Sequence, residues 1–129
     1  MNISPRKRIL IIDDDEGLTA PLQFAMEAAG YEVLTAHDGN EGVMKIERDA
    51  PDLVLLDLVM PRRSGFSVLD SIITHKRRAP RIIMVTGNSE PKYRELALDR
   101  GVDLFIPKPY QIDDLVQAVN QLLQSDSVE

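Results

Sequence analysis

Two short apolar runs in this chain end in acid: Ile9–Ile12 leads into Asp13, Asp14 and Asp15, and Leu53–Leu56 leads into Asp57. If both runs are neighbouring parallel strands, their carboxylates converge at one edge of a sheet. Carboxylates that close raise one another's cost of ionisation, so a fold keeps such a cluster only with compensation. A hard divalent cation such as Mg²⁺, which takes oxygen ligands, is the usual compensation. Two further strand ends bring Thr86, after IIMV, and Lys108, after DLFIP. A carboxylate can attack phosphorus as a nucleophile and form an aspartyl-phosphate. Phosphoryl transfer asks mainly for positioning and charge neutralisation. A cation held by acids, a lysine and a hydroxyl would supply both.

These residues need a sheet to bring them together. Residues 9–12, 53–56 and 82–85 are apolar throughout, as parallel strands covered on both faces are. Residues 31–36 and 103–107 are weaker patterns suited to sheet edges, and Pro107 agrees, since proline cannot donate to a ladder. Between them run helical stripes: Leu18, Leu22, Ala25 and Ala29, closed by Gly30; Val43, Met44 and Ile46 within 40–49; Phe66, Leu69, Ile72 and Ile73 after Gly65; residues 91–100, the least apolar, closed by Gly101; and Ile112, Leu115, Val116, Val119, Leu122 and Leu123. Five strands alternating with five helices predict an α/β doubly wound sheet. Ligand sites in such sheets lie beyond the carboxyl ends of the strands, where Asp13, Asp14, Asp57, Thr86 and Lys108 all fall.

The composition limits the function classes. At 129 residues the chain suits a single domain over 1–129, with its core at about 7–124 and a short polar tail at 125–129. A net charge of −6 argues against a surface built for direct nucleic-acid binding, which needs a basic face. The absence of cysteine removes thiol catalysis, disulfides and Cys-ligated zinc, and fits a reducing compartment. No apolar stretch approaches the roughly 20 residues of a membrane span, and the basic start is followed by too short an apolar run for a signal peptide. The reading is a soluble, cytoplasmic protein with no membrane contact.

The strings IIDDDEG, AAGYEVLTAHDGNEGV, PDLVLLDLVMPRRSGF, IIMVTG and GVDLFIPKPY, in that order, resemble the response-regulator receiver domain of two-component signalling over about residues 7–124. The resemblance implies a flavodoxin-like five-stranded parallel sheet of order 2-1-3-4-5. It implies a phosphorylation-dependent switch, not an enzyme beyond its own phosphorylation and slow dephosphorylation, with Asp57 as phosphoacceptor. It further implies Mg²⁺ on Asp14, on Asp13 largely through water, on Asp57 and on the Val59 backbone carbonyl. Thr86 would bond a phosphoryl oxygen and Lys108 would pair with it. Phe105 would be the switch aromatic that follows Thr86, although a buried aromatic at that position reads equally as core. The Lys108–Pro109 bond would be cis, and Gly87 would leave room for a phosphodonor. The implied partners are a histidine kinase or histidine phosphotransfer protein, and an output domain or protein partner on the 91–124 face.

Other residues read as structural. Asp15 suits the first turn of a helix, His37 and His75 suit the surface, and the basic clusters at 6–8, 62–63 and 76–78 suit solvated faces, with Arg62 and Arg63 flanking the site. Pro21 falls inside the first helical stripe, so that helix is expected to start late or to kink near Gly17–Pro21. Val59 and Asn88 occupy positions that tune dephosphorylation in the family, and Val59 cannot orient an attacking water through its side chain, which predicts slow self-hydrolysis. Two rival readings exist. A haloacid-dehalogenase-like aspartyl-phosphate phosphatase would use the Asp-x-Asp spacing of Asp13 and Asp15, and an unphosphorylated binding scaffold would use neither.

Overall fold

The computed structural model describes residues 6–60, 62–75, 79–87 and 90–127, without the side chains of 74, 75 and 125–127. His75, the 76–78 cluster, Asn88 and the polar tail therefore lie outside the described side chains. The elements alternate strictly: β1 (Arg8–Ile12), α1 (Glu16–Ala28), β2 (Glu32–Ala36), α2 (Gly39–Asp49), β3 (Leu53–Asp57), α3 (Gly65–His75), β4 (Arg81–Thr86), α4 (Pro91–Asp99), β5 (Leu104–Pro107) and α5 (Ile112–Ser127). The strands form one parallel sheet of order β2-β1-β3-β4-β5, so the two weaker patterns do take the edges.

The apolar runs are continuous because both faces of the sheet are covered. Leu10, Ile12, Val54, Leu56, Ile82 and Met84 point to the layer that holds α2, α3 and α4. Ile9, Ile11, Leu53, Leu55, Ile83 and Val85 point to the layer of α1 and α5. Successive strand residues face opposite sides, so each run divides evenly between the two cores.

Four helical expectations need correction. α1 starts at Glu16, not late, because the Asp15 side chain caps it by accepting from the Gly17 N–H at 2.9 Å. Pro21 sits inside the helix, where it cannot donate to the Gly17 carbonyl one turn back. The inward stripe of α1 is Thr19, Leu22 and Met26, whereas Ala29 is exposed. Met44 is 57% exposed and Ile73 40% exposed, so neither faces the core; Gly42 with Val43 and Ile46, and Val68 with Leu69 and Ile72, do instead. In α2 the backbone of Gly42 comes so close to β1 that an added Cβ would lie 2.6 Å from Ile12. That approach rotates α2 and turns Met44 outward.

Charge pairs close the amino ends of the strands, away from the predicted site. The Asp103 carboxylate accepts from the Ile82 N–H at 2.8 Å and pairs with Arg81 at 2.8 Å. Arg8 pairs with Glu32 at 3.0 Å and donates to the Asp49 carbonyl, and its backbone N–H donates to Asp52 at 2.8 Å. Arg8 is thus a tie between elements, not part of a solvated face.

Candidate functional site

The carboxyl ends of β1, β3, β4 and β5 converge. Asp13 follows β1, and its N–H donates to the Ala36 carbonyl at 3.1 Å, continuing the ladder one residue past the strand. Asp57 is the last residue of β3 and Thr86 the last of β4. Lys108 follows β5, and its N–H donates to the Thr86 carbonyl at 2.8 Å. Asp13, Asp57 and Thr86 are buried, at 7%, 6% and 0% exposure, whereas Asp14 is exposed.

Three acids meet as the sequence predicts. Asp13, Asp14 and Asp57 each offer a carboxylate oxygen, and these oxygens lie within 4.8 Å of one another. An all-oxygen donor set of this kind fits a hard divalent cation. Lys108 reaches into the cluster from the opposite edge of the sheet, with its Nζ 2.9 Å from Asp13 Oδ2 and 3.4 Å from Asp57 Oδ2. Asp13 Oδ1 also accepts from the Asp15 N–H at 2.9 Å, and Asp57 Oδ1 accepts from the Val59 N–H at 3.3 Å.

The electrostatics follow from burial. Loss of solvent, and then the charge of Asp13, push the Asp57 carboxyl up to about 6, against the downward pull of Lys108 and the Val59 N–H. Burial alone would lower the Lys108 ammonium, but its hydrogen bond to Asp13 and the charges of Asp57 and Asp13 outweigh that and raise it. Burial raises the Tyr110 phenol beside them. One ammonium is thus set against a cluster of acids, and burial beside Asp13 makes Asp57 hard to ionise.

Other predicted residues take distinct places. Asp15 points to the α1 amino end, where it accepts from Gly17, and its side chain is exposed; it is a cap and not a second acid facing Asp13. The phosphatase reading loses its acid pair accordingly. The Val59 side chain is 64% exposed at the mouth of the site. Phe105 is half-buried and packs against the α2–α3–α4 core, opposite Met84 of β4. Lys108–Pro109 is cis, as expected. A Cβ on Gly87 would meet nothing within 4 Å, so the space beside Thr86 is open. His37 is exposed.

Sequence reasoning missed the tight seat of the β3–α3 connection. Gly65 approaches so closely that a Cβ there would lie 2.4 Å from the Asp57 carbonyl oxygen, and its N–H donates to the Leu58 carbonyl at 2.8 Å. Only the pairing of two segments in space reveals that need; in sequence Gly65 reads as a helix start. A cavity of about 320 Å³ also opens beside Lys108, between Leu18 and Pro21 of α1 and Pro109, Tyr110 and Ile112. No local pattern announced it, because its walls come from opposite ends of the chain.

Comparison with known proteins agrees with this geometry. Residues 9–120 match the family model described as the response regulator receiver domain. The chain is 34% identical over 122 residues to the alkaline phosphatase synthesis transcriptional regulatory protein PhoP of Bacillus subtilis, covering 95% of this chain and 50% of PhoP. It is 34% identical over 117 residues to the transcriptional regulatory protein CpxR of Escherichia coli, covering 91% of this chain and 49% of CpxR. It thus spans about half the length of the curated relatives it matches. Among solved structures, a CheY-like receiver domain protein of Methanospirillum hungatei superposes with a TM-score of 0.88 at 32% identity, over 95% of this chain and 98% of that one. A CheY from Borrelia burgdorferi, solved with CheX, BeF3 and Mg²⁺, superposes with a TM-score of 0.84 at 28% identity, over 91% and 89% of the two chains. Among the described residues no helix is long and apolar enough to cross a membrane. Strand order, the acid cluster and the match over residues 9–120 converge on one conclusion: the chain belongs to the response regulator receiver domain family.

Proposed function

We propose that this single receiver domain is a cytoplasmic switch that takes a phosphoryl group onto Asp57 from a histidine kinase or a histidine phosphotransfer protein. The observation that carries this reading is the buried Asp57 carboxylate held between Lys108 and two further acids. In the reaction an Asp57 oxygen attacks phosphorus, and the bond from phosphorus to the donor nitrogen breaks with its electron pair returning to the imidazole. Asp13, Asp14, Asp57 and the Val59 carbonyl would hold Mg²⁺. When bound, Mg²⁺ supplies positive charge to the phosphoryl oxygens. Lys108 leaves its contact with Asp57 to pair with the new phosphoryl oxygen, which Asp13 alone cannot prevent once the dianion is present. Thr86 turns its hydroxyl toward another phosphoryl oxygen, and Phe105, on the neighbouring strand, repacks into the space released.

The switch is a population shift: added charge at the β3 end favours the arrangement of Thr86, Lys108 and Phe105 that meets it. The 91–124 face carries that change to an output domain or a protein partner. Support comes from its exposed Leu96, Leu98 and Leu104, which are 44%, 38% and 36% exposed. The Val59 side chain offers no hydrogen bond to an attacking water, so self-dephosphorylation is slow.

Incubation with Mg²⁺ and acetyl phosphate or beryllofluoride, followed by intact mass, tests the reading. A single labile adduct that is lost in Asp57→Asn is the expected result. No adduct in the wild-type protein would return the chain to the scaffold reading, and steady turnover of a phosphate ester would favour a phosphatase.

A further inference from the structure

Arg62 is the one non-glycine besides Ala50 at positive φ among the described residues, with φ of 69°. A left-handed conformation crowds the Cβ of a side-chain-bearing residue, so something nearby must hold it there. Its guanidinium meets Asp38, with Nη1 3.2 Å from Oδ2. The other oxygen of the same carboxylate, Oδ1, accepts from the Glu41 N–H at 2.9 Å and caps α2. Glu41 in turn accepts from the His37 N–H at 2.8 Å, tying the first turn of α2 to the residue before its cap. One carboxylate thus grips both the start of α2 and the turn that follows β3.

The grip is backed by close packing. A Cβ on Gly39 would lie 2.6 Å from both Cβ and the carbonyl oxygen of Arg63, so α2 begins directly against that turn. Arg63 in turn donates to Ser67 at 2.9 Å and to Ser71, fastening the turn to α3. The β2–α2 corner is tied to the acid cluster as well, through the Asp13 N–H on the Ala36 carbonyl. Asp38 and Gly39 thus hold Arg62 and Arg63 from the side, in the same β3–α3 connection that carries the Val59 N–H donated to Asp57.

We propose that Asp38 is a positioning residue for phosphorylation of Asp57: it acts through Arg62 to seat the turn that sets the Val59 backbone against the acceptor carboxylate. This rests on Asp57 being the phosphoacceptor. The carboxylate is itself held below the usual acid range, first by the Glu41 N–H and, against some desolvation, by the charge of Arg62, so it stays ionised at physiological pH.

Asp38→Asn separates the two duties, because an amide oxygen still caps α2 but no longer carries charge for Arg62. The pair is half in solvent, and such pairs contribute little to global stability, so the melting temperature of Asp38→Asn should stay within about 2 °C of wild type. Its rate of adduct formation with acetyl phosphate and Mg²⁺ should fall about 3- to 10-fold. Amide exchange at Val59 should quicken by a similar factor in the unphosphorylated protein. Arg62→Lys should keep most of the wild-type rate, and Asp38→Asn combined with Arg62→Gly should be no slower than the worse single variant. Wild-type rates and an unchanged Val59 amide in Asp38→Asn, or losses that add in the double variant, would overturn the proposal. A wild-type protein that forms no adduct sinks the Asp57 reading and this proposal with it, whereas an adduct that forms at the same rate in every variant sinks this proposal alone.

Discussion

Asp57→Asn should stabilise the metal-free fold at neutral pH while abolishing phosphorylation. The acceptor carboxyl is 6% exposed and is pushed from the ordinary 3.8 to about 6. Each tenfold change in acidity corresponds to about 1.4 kcal/mol, so ionising this group in the folded protein costs at most about 3 kcal/mol relative to the unfolded chain. The sign follows from the raised value: this contribution to stability is fully present below pH 4, is lost as pH rises through about 6, and is absent at pH 7.5. An amide of the same shape keeps the Val59 N–H contact, cannot ionise, and leaves Lys108 its 2.9 Å partner Asp13. Thermal unfolding of both proteins in a chelator-containing buffer, from pH 4 to pH 8, measures the gap between them. It should be near zero at pH 4 and grow through pH 6 to an upper bound of about 3 kcal/mol, on the order of 10 °C in melting temperature. Saturating Mg²⁺ should narrow it, since a cation that binds the ionised cluster stabilises the wild type more. A gap that stays flat with pH, or an amide variant less stable than wild type at pH 7.5, would refute the electrostatic account of the site.

Other outcomes can be checked alongside. Replacing Val59 with Asn or Glu puts a hydrogen-bonding group at the mouth of the site, and the phosphoryl lifetime, followed by loss of the adduct mass, should shorten several-fold with little change in melting temperature. Lys108→Ala should lower the rate of phosphorylation and also weaken the metal-free fold, because Asp13 and Asp57 then face each other without the cation between them. Asp103→Ala strips the Ile82 N–H and Arg81 of a common partner at the far end of the sheet; urea unfolding should show a loss of about 1–3 kcal/mol with the phosphorylation rate unchanged. Leu69→Ala, at a position fully buried between α3 and the sheet, should cost about 2–5 kcal/mol by the same measurement.

The architecture was legible because each strand announces itself locally. A run of four or five apolar residues bounded by turn residues has to be covered on both faces, and that requirement alone leads to a parallel sheet with helices on either side. The stop at Gly101 was legible for the same reason, since it acts on backbone groups within a few residues of itself, whereas Asp15 reads in sequence as a first-turn acid and the fold makes it the cap that starts α1 at Glu16. The weaker helical faces were not. Met44 and Ile73 fit their stripes by spacing, and only the close approach of Gly42 to Ile12 and the packing of Val68 decide which side of each helix meets the sheet.

The amino-acid sequence by itself determined that Asp13, Asp57, Thr86 and Lys108 stand at strand ends, since apolar runs stop where they do whatever surrounds them. Tertiary structure decided what those ends do to one another. Lys108 lies 95 residues from Asp13 along the chain and 2.9 Å from it in space. The burial that lifts Asp57 to about 6 is completed by residues distant in sequence, with Asp13, Val85 and Tyr110 lining its surroundings. Arg62 reads in sequence as part of a solvated face, and only the fold brings it to Asp38, 24 residues away, whose one carboxylate stands between a helix end and a turn. Hydrogen bonds and desolvation depend on distance in space, and a linear sequence reveals that distance only where neighbours in the chain are neighbours in the fold.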